Sequence, residues 1–238
     1  MALREGSAEI DIAPLAARPA ESPASFRILA YRKIKELITG LNVYGQAEPI
    51  RLDERRLSQE LGVSRTPVRE ALTLLEREGY VRTEPRRGVI VMRKSKQEIL
   101  RMIEVWAALE SLAARLATLH AADDEIASLR RMFEDFSDQS LEGHLDEYSE
   151  ANIHFHQAII RLSGNPLLVD MTRDLFIHMR AIRQATIGQG DRAKRSIVDH
   201  MNIIEALERR DTERAAALVL KHALDLAAHV EQHWNSFE

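Results

Sequence analysis

The sequence predicts a mainly α-helical chain in two parts: three helices and a β-hairpin, then an all-α antiparallel bundle of six helices. Three observations predict it. Aromatic residues are only 5% of the 238 residues, and 10 glycines and 7 prolines are poor material for a turn-rich β-sandwich or barrel. After Ser95 apolar residues recur at helical spacing almost to the end. The charge is also divided, with 15 Lys and Arg against 9 Asp and Glu between Ala24 and Lys94, and 16 against 24 from Ser95 onward. A basic segment joined to a larger acidic one suits a chain whose first part meets an anionic partner while the second does something else.

Residues 1–23 are rich in Ala, Pro and Glu without a sustained period and read as a flexible N-terminal arm. Phe26, Ile28, Leu29, Ile34, Leu37 and Ile38 space a first helix that runs to Gly40. Asp53 can cap a short second helix through Leu61, with Leu57 inward and Gly62 ending it. Ser64 can cap a third from Arg65 to Glu78, with Val68, Ala71, Leu72 and Leu75 on one apolar face and Gly79 as the stop. Two short β-prone runs, 80–83 and 88–92, flank a Glu-Pro-Arg-Arg turn and predict a hairpin. The first part thus spans 24–94 and the second 95–238.

In the second part the periodicity places helices over 96–119, 123–139, 143–163, 166–185, 191–209 and 212–233. Their connections are short, and that makes an antiparallel bundle. No cysteine is present, so disulfides, thiolate metal sites and a cysteine nucleophile are excluded. No run approaches 18 uncharged apolar residues, and the start has no continuous apolar stretch of signal-peptide type. The expectation is a cytoplasmic protein with no membrane partner.

The segment Leu57–Val81 carries the clearest chemistry. Two helices separated by Gly62-Val63-Ser64 meet at a sharp angle, the geometry of a helix-turn-helix. Arg65, Thr66 and Arg69 then fall on the exposed first turns of the third helix, where a recognition helix meets base edges in the major groove. An arginine there can bond guanine O6 and N7 together, while Thr66 and Ser64 suit phosphate or thymine-methyl contacts. Arg86 and Arg87 at the hairpin tip would reach a phosphate or the neighbouring minor groove.

From Leu57 through Gly88, the runs L-G-V-S-R-T-P-V-R-E-A-L, L-E-R-E-G and R-R-G closely resemble the winged helix-turn-helix of GntR-type bacterial transcription regulators. The helical part resembles the FCD effector domain of the FadR branch. The residues that carry this are N-x-x-F-H at 152–156, S-G-N-P-L at 163–167, Asp199-His200 and Lys221-His222. Six helices rather than seven resemble the VanR-like subgroup. The resemblance implies that Arg55, Arg65, Arg69 and Gly88 stand at DNA-contacting positions.

Eight of the nine histidines follow Ala121. Asn152 and His156 are four apart and share a helix face. His200 shares a face with Ile203, Ile204 and Leu207, and His222 with Leu218 and Leu226, so both point inward. Each lies 11 residues from Asp211, where the last two helices turn back, so an antiparallel hairpin brings them level. Asn152, His156, His200 and His222 together suit one divalent metal per chain, zinc, with nickel or manganese as alternatives. Asp is usual at the first ligand position in the family, and a neutral amide is a weaker ligand. His120, His144, His154, His178, His229 and His233 fit the pattern less well.

The resemblance further implies a small carboxylate effector beside the metal, for which Arg180 and Arg183 are the candidate partners. Trp106 stands where family members commonly carry Arg. A mononuclear metal-dependent hydrolase is the alternative in another class, but no strong candidate general base accompanies the metal; the Glu-x-x-His pairs of di-iron bundles and the His-Glu-x-x-His, P-loop and G-x-G-x-x-G patterns are absent. A ligand-independent architectural DNA-binding protein is the third reading. The expectation is a dimeric repressor on a palindromic operator, because one recognition helix reads only a few base pairs.

Overall fold

The computed structural model describes residues 23–41, 43–44, 48–85, 87–136 and 143–234. The expected arm lies outside the described residues except for Pro23, and Arg86 lies outside them too. The chain divides into two compact units, Met1–Leu41 with Glu48–Met92, and Asn42–Ala47 with Arg93–Glu238. No described helix is long and apolar enough to cross a membrane.

The first unit contains α1 (Pro23–Gly40), β1 (Arg51–Leu52), α2 (Glu54–Glu60), α3 (Arg65–Arg77), β2 (Val81–Glu84) and β3 (Gly88–Val91). Ala30, Ile34 and Ile38 of α1 pack into one core with Leu57, Leu61, Val68, Ala71, Leu72 and Leu75. Of the apolar residues that space this helix, Ile28 is exposed, because the buried stripe runs 30, 34, 38 and passes it by. β2 and β3 form the expected antiparallel hairpin, with Val81 opposite Val91 and Glu84 opposite Gly88. The two-residue β1 pairs with the other edge of β3, Arg51 opposite Ile90, which makes a three-stranded sheet in the order β1-β3-β2. That strand was not expected, since two residues show no alternation.

The second unit contains six helices among the described residues: α4 (Lys96–His120), α5 (Asp123–Arg131), α6 (Leu145–Leu162), α7 (Pro166–Thr186), α8 (Arg192–Glu208) and α9 (Thr212–His233). Ser95 and Glu98 form a capping box at the start of α4, and Asn165 caps α7 ahead of Pro166. α5 stops at Arg131 rather than running to 139 as the periodicity predicts. Beyond it Phe133 turns inward, its ring centroid 5.3 Å from that of Phe155 and 4.9 Å from that of His200. Between α8 and α9 Arg210 adopts φ 56° and donates to the carbonyls of Ala117 and Thr118, which anchors the turn to the end of α4. The long α4 packs against α9, α6 and α7. It is the element that lies behind the histidines.

Candidate nucleic-acid interface and metal centre

In the first unit the turn between α2 and α3 follows from local chemistry. Asp53 accepts from the Arg56 amide at 2.8 Å to start α2, and Gly62 takes φ 64° to leave it. The Ser58 hydroxyl donates to the Val63 carbonyl at 2.6 Å and holds the turn closed. Ser64 sits at the N-cap of α3 with φ −68° and ψ 166°, but its side chain makes no capping bond. The expectation that it satisfies the free amides is therefore corrected. Its hydroxyl and the first-turn amides remain open to a phosphate oxygen.

Ser64, Arg65, Thr66 and Arg69 are all exposed on one end of α3, while Val68, Ala71, Leu72 and Leu75 hold the opposite face in the core. Arg69 donates Nε to Glu54 Oε2 at 2.7 Å, which steadies the side chain. Arg55 is exposed on α2, and Arg87 and Gly88 are exposed where β3 begins. Gly88 has φ 83°, a conformation that L residues rarely adopt, and the Arg87 carbonyl accepts from Arg51 Nη1 at 3.1 Å.

The second unit brings His156 of α6, His200 of α8 and His222 of α9 together, with one ring nitrogen of each within 4.8 Å of the others. The ring centroids lie 4.8 to 5.3 Å apart, and all three side chains are buried. Equal distance from the α8–α9 turn therefore does make His200 and His222 level. Asn152, one turn before His156, has its Oδ1 3.1 Å from His156 Nε2. The six histidines left unassigned lie outside this group.

Two carboxylates orient the imidazoles from behind. Glu110 of α4 holds His156 Nδ1 at 2.5 Å, and its other oxygen accepts from the Trp106 indole N–H at 2.6 Å. Asp199 holds His222 Nδ1 at 3.0 Å. His222 Nε2 is buried with no partner. His200 has the Tyr148 hydroxyl 3.4 Å from Nδ1 and the Ser196 hydroxyl 3.5 Å from Nε2, both at the limit of a hydrogen bond. Burial pushes His156 and His200 well below the ordinary histidine range, and pushes His222 down against the opposing charge of Asp199. All three are neutral at pH 7, the form that offers a lone pair. Burial also lifts Glu110 to about 7, against the pull of Arg183.

Arg183 of α7 is 1% exposed, and none of its three guanidinium nitrogens has a hydrogen-bond partner. Its nearest carboxylate is Glu110, 4.0 Å away. Arg180, the other expected anion partner, is committed to Glu150 at 2.9 Å. Neither Glu110 nor Asp199 was expected as part of the site. Glu110 did leave a signal: Ile99, Ile103, Trp106, Glu110, Ala113 and Ala117 follow one helical stripe, and a carboxylate in such a stripe must find a buried partner.

Residues 30–91 match the family described as bacterial regulatory proteins, gntR family, and residues 101–225 match the FCD domain. The Nta operon transcriptional regulator of Aminobacter aminovorans is 31% identical over 185 residues, covering 78% of this chain and 83% of that protein. The HTH-type transcriptional repressor RspR of Escherichia coli K12 is 24% identical over 181 residues, covering 76% of this chain and 79% of that one. Among solved structures E. coli McbR/YncC shares the fold, with a TM-score of 0.70 at 22% identity over 88% of this chain and 99% of that one. The Aminobacter and E. coli K12 relatives are named as regulators of transcription, not as enzymes. The chain belongs to the GntR family of bacterial transcriptional regulators, and is a DNA-binding regulator in which a gntR-type helix-turn-helix unit is followed by an FCD domain.

Proposed function

We propose that this regulator is a dimeric repressor whose affinity for a palindromic operator is controlled by a small carboxylate bound beside a divalent metal in the FCD domain. The observation that carries the reading is the set of buried groups without partners: His222 Nε2 and all three guanidinium nitrogens of Arg183. A buried polar atom left without a hydrogen bond costs about 1–3 kcal/mol, and the Arg183 charge is offset only by the Glu110 carboxylate 4.0 Å away. A cation at the histidines and an anion at Arg183 remove both penalties.

The donor set fits such an ion. Three neutral imidazoles and one amide oxygen suit zinc, nickel or manganese, and a carboxylate behind two of the rings fixes which nitrogen faces inward. With the proton of the Glu110–His156 pair on Nδ1, His156 Nε2 carries a lone pair directed at the Asn152 amide oxygen. Asn152 can relieve that opposition by turning its amide over. His222 Nε2 has no such remedy. When bound, the metal supplies a Lewis-acidic site for a ligand oxygen. The protein's residues do the rest: Glu110 and Asp199 orient, Phe133, Tyr148 and Phe155 enclose His200, and Arg183 offers a planar fork to a carboxylate.

For DNA, Arg65 and Arg69 are assigned to base edges and Arg55, Ser64, Thr66, Arg87 and the Gly88 turn to the backbone or its groove, with Arg86 kept as expected from sequence. A repressor role is supported by the RspR relative. A twofold partner is supported by α4, which exposes Val105, Leu112 and Leu119 at 51%, 43% and 61%, one every seven residues. Leu220 and Leu224 of α9, the helix that packs along α4, are exposed as well. A ligand that prefers one bundle arrangement then shifts operator affinity by its differential binding energy, commonly about 1–3 kcal/mol.

The test begins with elemental analysis of untagged protein, where up to one divalent metal per chain is expected, reduced in His200→Ala and His222→Ala. Thermal-shift screening of small organic acids follows, with and without metal, because a ligand stabilises the state that binds it. Stoichiometric metal that survives both substitutions, or acids that stabilise equally without metal, would remove this reading.

A further inference from the structure

A second buried arginine lies close enough to the cluster to help hold His156 and His200 neutral, but forms no hydrogen bond with it. Arg192, the first residue of α8, is 7% exposed, and its Nε donates to Thr186 Oγ1 at 3.2 Å. Among the described residues it forms no ion pair. Burial and the like charges of Arg183 and Arg195 push it down to about 10, so its charge is a cost to the fold until an anion answers it.

Arg192 lines a cleft of about 390 Å³ between α8 and α9, together with Lys194, Ser196, Asp199, Lys221 and His222. His222 belongs both to this cleft and to the histidine cluster, so the cleft lies against the buried site. Most charges along it are already answered. Arg195 pairs with Asp191 at 3.0 Å, Lys221 with Asp225 at 2.6 Å, and Asp199 with His222 at 3.0 Å. Arg192 and Lys194 remain, two cations on one helical turn that form no ion pair among the described residues, though Asp225 acts on Arg192 from a distance. An inner anion at Arg183 leaves them unanswered.

We propose that the α8–α9 cleft is the outer half of the ligand site and that the ligand is a dianion whose second anionic group is held by Arg192 and Lys194. The proposal rests on the histidine cluster being the inner half of that site. It sets the chemical class of the effector: a diacid, with one end at the histidines and Arg183 and the other toward the mouth of the cleft.

The experiment is calorimetric titration of the full-length, metal-loaded protein with malonate, succinate, glutarate and adipate, each against the monocarboxylate of equal carbon count. One further charge-assisted contact is worth roughly tenfold or more in affinity, so the best diacid is expected to bind at least about tenfold tighter than its monoacid. Lys194→Gln, at an exposed position, and Arg192→Gln, which keeps a donor for Thr186, should each shrink that ratio, and Lys194→Gln should leave monoacid affinity within about twofold. A ratio near one in the wild type, or a ratio that survives both substitutions, overturns the dianion assignment and leaves the inner site standing if monoacids bind. If no acid of either class binds the metal-loaded protein, the inner site falls with it.

Discussion

His156 Nδ1 lies 2.5 Å from Glu110 Oε1, a contact between α6 and α4 that spans 46 residues and is fully buried at both ends. It fixes which face of the imidazole is free, and so it sets the donor set of the whole cluster. Burial lifts Glu110 to about 7, which makes its carboxylate form costly unless positive charge is close. The same contact therefore both positions His156 and predisposes the site to a cation.

Glu110→Gln is expected to weaken metal binding about 10- to 100-fold, the usual effect of losing a carboxylate behind a ligating histidine. The metal-free variant should be less stable than the wild type at pH 8, because the amide cannot accept from both Trp106 and His156 and Arg183 loses its carboxylate. Metal titration and thermal unfolding on the same samples separate positioning from packing. Asn152→Asp should act oppositely and tighten the metal, since an anionic oxygen replaces a neutral one 3.1 Å from His156 Nε2. If Glu110→Gln binds metal as the wild type does, the contact is structural only.

On DNA, Arg65→Ala and Arg69→Ala are each expected to cost about 1–3 kcal/mol on the cognate operator and to flatten base preference. Arg69→Ala also frees Glu54, whose Oε2 is 2.7 Å away, and an unneutralised carboxylate beside the groove adds to the loss. Arg87→Ala should weaken specific and random DNA alike and lower the salt slope by about one, as a phosphate contact does. Fluorescence anisotropy on operator and scrambled duplexes, at several salt concentrations, checks all three. Equal loss on both duplexes would move Arg65 and Arg69 to the phosphate group.

The site was legible in the sequence wherever one helix or one hairpin carried it. Asn152 and His156 share a face by their four-residue spacing, and His200 and His222 meet because each is 11 residues from Asp211. The turn around Gly62 and the hairpin were legible for the same reason, as local chemistry written in consecutive residues. What was not legible is what tertiary packing decides. The pattern of Ile126, Leu129, Phe133 and Phe136 continues past Arg131 without a helix breaker, yet the helix stops there so that Phe133 can reach Phe155 and His200. Glu110 and Asp199 act only across helix pairs, and nothing in their own neighbourhoods names their partners.

The buried histidines also set how the metal-free protein responds to acid. His178 and His229 are both pushed down to about 4, chiefly by burial, and His156, His200 and His222 are lowered too. Between their ordinary value near 6.5 and these depressed values, the unfolded chain binds protons that the folded chain refuses, so stability is lost as pH falls through that window. Glu110 works the other way, because its raised value makes the fold gain stability from about 7 down toward 4.5. Five histidines against one carboxylate decide the sign. Urea unfolding of the metal-free protein should show falling stability from pH 6.5 to 4, and His178→Gln should flatten the slope. A profile that is level across this range would mean that the histidines are not neutral in the fold.

The twofold reading can be tested at one residue. Leu112 lies at the middle of the Val105, Leu112, Leu119 stripe, where a seven-residue repeat keeps one side of α4 facing the same way along its length. Leu112 itself is 43% exposed, so Leu112→Glu adds a charge without emptying the core of the bundle. The charge becomes costly only if another surface covers it. Sedimentation is therefore expected to show a dimer for the wild type and a monomer for the variant, with unchanged helical content by circular dichroism. Operator affinity should fall most on DNA that carries both half-sites and least on an isolated half-site, since a monomer no longer gains from the second contact. A Leu112→Glu protein that stays dimeric with full operator affinity would place the partner on another face.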